Sequence, residues 1–178
     1  MDASTTARIR PDMPYPPSYR PSTRRRFLVL AFAACVPVRS FAAEDPVALP
    51  FEYDPARDPA KDLDVVLRIA RAAGRNVIVI VGGEWCSWCH IMDRFFSNNP
   101  DLKRYRDANY VWLKVNWSAE NHNDAFLRRY PAIKGYPHIF VLDASGRVLH
   151  SQDTDELETK KNYDPAAMRA FLVKWAPR

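Results

Sequence analysis

The chain has 178 residues, 47% of them hydrophobic, which is one domain's length with enough apolar material for a core. Its formal charge of +5 sits in the first 42 residues, which hold seven of the 26 Lys and Arg but two of the 21 Asp and Glu, so the rest balances at 19 against 19. A neutral body has no net field to attract a polyanion, and the apolar content is too high for a disordered chain, so nucleic-acid binding and disorder are both excluded.

Residues 1–42 read as a cleavable export signal. Arg24-Arg25-Arg26 precedes the apolar stretch Phe27 to Val36, and the small-residue site Ser40-Phe41-Ala42 follows, in the charged, apolar and cleavage-region order of secretion. Thr23 to Leu28 also resembles a twin-arginine signal. A Sec signal starting at Met13 and lipoprotein anchoring through Cys35 are the alternatives. The apolar run ends at Pro37 and is too short to span a bilayer, so no stable membrane insertion is expected once the signal is removed. The expected location is outside the cytoplasm, in the periplasm.

Residues 43–57 form an extended lead-in with a short strand expected around Val47 to Tyr53, and the domain proper is expected over 58–178. Asp58-Pro59 starts a helix, Leu63, Val66, Leu67 and Ala70 keep its spacing, and Gly74 stops it. Val77 to Val81 is an unbroken β-branched run, the pattern of a strand covered on both faces. Gly82-Gly83 punctuates it, and a helix is expected from about Trp85 through Phe96. Asn99-Pro100 starts a shorter helix, Tyr110 to Asn116 is a second buried strand, and 121–130 is expected to be helical. Gly135-Tyr136-Pro137 breaks the chain before the strand His138 to Leu142, and the turn Asp143 to Gly146 leads into a further strand at Arg147 to Ser151. A solvated acidic loop is expected over 153–162, and then a helix capped by Asp164-Pro165 with Met168, Phe171, Leu172 and Trp175 on one face. Helices between strands predict parallel crossovers, with one antiparallel pair forced by the turn at 143–146. The fold class is therefore α/β, a central mixed sheet flanked by helices on both faces.

Loss of Cys35 with the signal leaves Cys86 and Cys89 in the mature chain, two residues apart. Such a pair closes almost no loop, so chemistry rather than stability is its expected use. A thiolate at a helix N-terminus faces unsatisfied N–H groups and the positive end of the dipole, which lowers its pKa below the free value of roughly 8.5. Cys86 is then the nucleophile that attacks a substrate disulfide, and Cys89, one turn on, resolves the mixed disulfide.

The segment Trp85-Cys86-Ser87-Trp88-Cys89 after a buried strand resembles the active-site signature of the thioredoxin superfamily. Phe126 to Tyr130 followed by Gly135-Tyr136-Pro137-His138 resembles its third helix and cis-proline strand, and Lys114-Val115-Asn116 the strand end between them. The resemblance covers about residues 60–176. It implies a thioredoxin-like fold, thiol–disulfide exchange with protein disulfide substrates and a separate redox partner, no cofactor and a monomer. It also implies a cis Pro137 and a Tyr136 backbone that pairs with the substrate beside the redox disulfide Cys86–Cys89. Trp85, next to Cys86, joins Tyr136 and Pro137 as a substrate-binding candidate. Glu84, Trp88, His90 and Lys114 are candidates for tuning the cysteines, although Glu84 and Lys114 are read first as an exposed loop charge and an exposed strand-end residue. Trp112, Trp117 and Trp175 are read as packing residues. Ile80 stands where thioredoxin carries a buried Asp, so proton transfer to Cys89 needs Glu84, Lys114 or water. The dipeptide Ser87-Trp88 does not fix the redox direction, and reductase is favoured over oxidase.

Two rivals share these residues. Cys86-Ser87-Trp88-Cys89-His90 is also the C-x-x-C-H haem-attachment motif of a c-type cytochrome, and an inert disulfide in a non-catalytic module of the same fold is the other. No two histidines pair with the cysteines at finger-like spacing, so no metal site is expected.

Overall fold

A computed structural model describes residues 52–178. The expected export signal, Cys35 and most of the expected lead-in strand lie outside the described residues, and residues 52 and 53 are not in a strand.

The first helix, α1 (Pro59–Ala73), begins where the Asp58 carboxylate accepts from the N–H groups of Ala60 and Lys61, at 3.0 and 3.3 Å. It ends at Gly74, whose φ of 63° is left-handed and suits a residue without a Cβ. Strand β1 (Asn76–Gly82) is buried along its whole length. Its even residues Ile78 and Ile80 pack on Met92, Phe95 and Phe96 of α2 (Ser87–Asn98) and on Met168, Phe171 and Leu172 of α5 (Pro165–Trp175). Its odd residues Val77, Val79 and Val81 pack on Leu63, Val66 and Ala70 of α1 and on Phe126 of α4 (Asp124–Leu127). Each such side chain contributes roughly 1.5–3 kcal/mol when fully buried. One strand thus ties together two helical layers, and the period-2 geometry of its backbone distributes the cores between them.

The helix α3 (Pro100–Asn109) returns the chain to β2 (Tyr110–Asn116), which runs parallel to β1 with Ile80 opposite Lys114. Strands β3 (His138–Leu142) and β4 (Val148–Asp153) complete a four-stranded sheet of order β2-β1-β3-β4. The mixed sheet agrees with expectation, but two pairs are antiparallel: β3 with β4, across the 143–146 turn, and also β3 with β1. The reason is the connection at 117–137. Its helix α4 has four residues and spans about 6 Å, far less than the roughly 23 Å of a seven-residue strand, so it makes no return crossover. The chain stays at the end of the sheet where β1 and β2 finish, and β3 starts there.

Two local expectations are corrected. The helix expected over 121–130 is confined to α4, because Asn121 and Asn123 are spent on a loop: Asn123 is left-handed, with φ 52°, and its N–H donates to Asn121 Oδ1 at 2.9 Å. The loop expected over 153–162 contains a 3-10 turn, Thr154–Leu157, that buries Thr154 and Leu157, with the Thr154 hydroxyl donating to the Pro137 carbonyl at 2.7 Å. The Tyr136–Pro137 peptide bond is cis.

Candidate active site

Strand β1 delivers the chain to the turn Gly82 to Cys86, closed by the Cys86 N–H donating to the Gly83 carbonyl at 2.9 Å. Cys86 is the N-cap of α2, the place where a capping Ser or Asp ordinarily sits, and its Sγ accepts from the Cys89 N–H at 3.2 Å. A sulfur held there feels an orphan donor of the first turn and the positive end of the helix dipole, both of which favour the thiolate when the pair is reduced. Cys86 and Cys89 are joined in a disulfide, with Cα atoms 5.3 Å apart, and both are buried. Gly82 lets this happen. A Cβ on it would come within 2.4 Å of Cys89 Sγ and 3.1 Å of the Tyr53 hydroxyl, so only glycine allows strand and helix to approach this closely.

The surroundings of the pair come from five segments. Trp85 is 54% exposed, yet it is fixed: its indole N–H donates to the Trp117 carbonyl at 2.7 Å, and its ring meets Trp117 and Tyr136 edge-on at 5.9 and 5.6 Å. Trp117 stacks on Tyr136 at 4.8 Å. Three aromatic rings thus form a wall from Cys86 to Pro137, and the fold brings Trp85, Tyr136 and Pro137 together as expected candidates. Trp117, read from sequence as packing, does pack, against the core and between His122 and Tyr136, and in doing so completes the wall. Its position immediately after a buried strand end was the available signal. Burial raises the pKa of the Tyr136 hydroxyl, aided by the charge of Asp124.

The tuning candidates are placed differently. Glu84 is exposed, but its carboxylate accepts from the Tyr53 N–H at 3.1 Å, and its other oxygen lies 3.7 Å from His90 Nε2. His90 Nε2 is also 2.8 Å from the Glu84 carbonyl oxygen. Trp88 is half-buried and meets Tyr163 edge-on at 5.6 Å. Lys114 is not an exposed strand-end residue. Opposite Ile80 on the α2 side of the sheet, its side chain is 4% exposed and its Nζ donates to Asp93 at 2.7 Å. Lys114 Nζ also lies 4.8 Å from the centroid of the Tyr53 ring. A buried ammonium needs an anion, and with Ile80 in the strand the anion comes from the helix instead.

Asp93 and Tyr53 were both missed by sequence reasoning. Asp93 sits four residues after Cys89, on the same face of α2, and that spacing was the signal. Tyr53 gave none, since it lies in a lead-in without periodicity. It is buried beside Gly82, and burial, then the negative charge of Asp93, raise its pKa well above the ordinary value, so the phenol stays protonated. His138, next to Pro137, is 3% exposed and core rather than site-lining: its Nε2 is 2.8 Å from Ser151 Oγ, and burial lowers its pKa. The haem-attachment reading finds no support in this fold, which packs both cysteines inside an α/β core.

Residues 58–144 match the family model described as Thioredoxin-like. Over 107 residues, 60% of this chain, the sequence is 25% identical to the thiol:disulfide interchange protein DsbD of Klebsiella pneumoniae, of whose length the chain spans 17%. Among solved structures it is similar to a disulphide isomerase from Xylella fastidiosa, with a TM-score of 0.60 at 19% identity over 72% of this chain and 97% of that one, a likeness of fold. Among the described residues no helix is long and apolar enough to cross a membrane. Mixed sheet, strand-to-helix junction and C-x-x-C disulfide agree with the family match, and residues 58–144 belong to a thioredoxin-like domain.

Proposed function

We propose that the chain is an exported, monomeric thiol–disulfide oxidoreductase that reduces protein disulfides outside the cytoplasm, with residues 1–42 as its removable signal and the thioredoxin-like domain over 58–178. The observation that carries the reading is Cys86 Sγ at the N-cap of α2, accepting a helix N–H while bonded to a second sulfur packed against Gly82. A disulfide placed only for stability would not need a helix terminus to stabilise its thiolate. The relative named as a thiol:disulfide interchange protein supports a pathway in which electrons pass between dithiols.

In the reducing direction, the Cys86 thiolate attacks one sulfur of the substrate disulfide. A Cys86–substrate bond forms and the substrate's other sulfur leaves as a thiolate. Cys89 then loses its proton and attacks Cys86 Sγ, which releases the second substrate thiolate and restores the Cys86–Cys89 bond. Two electrons have moved to the substrate, and a dithiol partner returns them. Trp85, Tyr136 and Pro137 hold the substrate segment. Glu84, Trp88, His90 and Lys114 set the environment of the sulfurs, and the Asp93 carboxylate, paired with Lys114 and four residues after Cys89 on α2, takes the Cys89 proton.

The test is turnover in an insulin-reduction assay with dithiothreitol as the recycling dithiol. Cys86→Ser abolishes it, and Cys89→Ser accumulates a mixed disulfide visible on a non-reducing gel. Full turnover by Cys86→Ser refutes the assignment.

A further inference from the structure

Beside the aromatic wall a cleft of about 490 Å³ opens, bounded by Tyr53 of the lead-in, by Glu84 and Trp85 before the nucleophile, and by Trp117, Ser118 and Glu120 after β2. Its walls are built rather than incidental. The Trp117 N–H donates to the Gly82 carbonyl at 2.6 Å, Asn116 Nδ2 to Ser118 Oγ at 3.1 Å, and Asn123 Nδ2 to the Asn116 carbonyl at 2.7 Å. Asn121 Nδ2 donates to the Pro55 carbonyl at 2.8 Å, which fastens the loop after β2 to the lead-in. These bonds hold two indoles at the rim, one of them Trp85, the most exposed large hydrophobic residue among those described.

The charged residues that line the cleft have one sign. Glu84 and Glu120 are both exposed and no Lys, Arg or His lines it, although Glu84 accepts from the Tyr53 N–H and lies 3.7 Å from His90 outside the lining. Lys114, whose ammonium faces the Tyr53 ring from within, is already committed to Asp93. The body of the protein is neutral overall, so this acidic patch arises from where the fold puts its charges. The faces of Trp117 are taken by His122 and Tyr136, stacked at 4.7 and 4.8 Å, which leaves the exposed indole of Trp85 beside the carboxylates. That pairing suits a cation: the ring quadrupole attracts it, the carboxylates pair with it, and the long apolar stem of a Lys or Arg covers the ring.

We propose that this cleft selects the substrate: it takes an extended peptide segment carrying a Lys or Arg close to the cysteine whose disulfide Cys86 attacks. The inference rests on the proposed redox role and names its substrate class. The cation lies between Glu84 and Glu120 against Trp85, while the neighbouring cysteine reaches Cys86 along the wall toward Pro137.

Binding is read with cysteine-free decapeptides, serine replacing cysteine, with Lys or with Glu at the flanking positions. They are titrated into the oxidised protein and followed by the indole N–H resonances of Trp85 and Trp117. The Lys peptide is expected to bind about tenfold more tightly, an advantage that shrinks below about threefold in Glu120→Gln and at high salt. The disulfide-linked versions of the peptides are expected to show the same ratio in kcat/KM. Equal affinities, or a preference that survives in the Glu84→Gln/Glu120→Gln double variant, overturn the inference. A preference among serine peptides without any reduction of their disulfide counterparts upholds the cleft and refutes the redox role instead.

Discussion

The two ends of the sheet are both concave, and they differ in kind. Where β1 and β2 finish, the 490 Å³ cleft is rimmed by indoles and carboxylates and adjoins a disulfide. At the opposite end a larger cleft of about 690 Å³ is lined by Arg75, Arg147, Lys174 and Arg178, with Asp143 paired to Arg147 and no reactive side chain. Volume therefore misleads here. Open α/β sheets gather chemistry at the carboxyl ends of their parallel strands, where the loops that follow can be aimed at one point, and this sheet obeys that rule. The far end carries helix termini and a hairpin turn, which tolerate charge because solvent screens it.

Substitutions at matched positions sharpen the contrast. The largest effect is expected from Gly82→Ala at the redox end, where the new methyl group meets a sulfur 2.4 Å away. Overpacking of this kind costs about 3 kcal/mol, measured as a lowered urea midpoint of the oxidised protein. Asp93→Ala comes next. It leaves the Lys114 ammonium buried without its anion, a loss of about 2 kcal/mol after allowing for the half-exposed Asp93, and adding Lys114→Met recovers most of it. The same Gly-to-Ala change at the far end, Gly74→Ala, meets no atom within 4 Å and suffers only the left-handed φ of 63°. Its expected cost is about 1 kcal/mol, with insulin reduction unchanged. A Gly74→Ala loss matching that of Gly82→Ala removes the asymmetry between the two ends.

The sequence disclosed what is decided locally. Asp58-Pro59 and Asp164-Pro165 cap helices because their carboxylates reach the next N–H groups, and Val77 to Val81 is buried on both faces because no residue in it tolerates water. Cys86 at a helix start was legible from the glycines before it and the apolar spacing after it. What escaped depends on distant partners. The β1–β3 pairing follows from the path of 117–137, which no single residue announces. Lys114 looked like a strand-end cation because its anion is 21 residues away on another element. Trp117 does pack, but the partners that make it part of the wall, Tyr136 and Trp85, are distant in sequence.

Tyr53 stands five residues before the stretch that matches the family model, yet its ring lies against Gly82 and its N–H is held by Glu84. The back wall of the sulfur chamber is therefore supplied from outside the stretch that the family model matches. Relatives with the same helices and strands but a different upstream segment would house the same dithiol in a wetter, less enclosed room, and the ease with which it gives up electrons would differ accordingly.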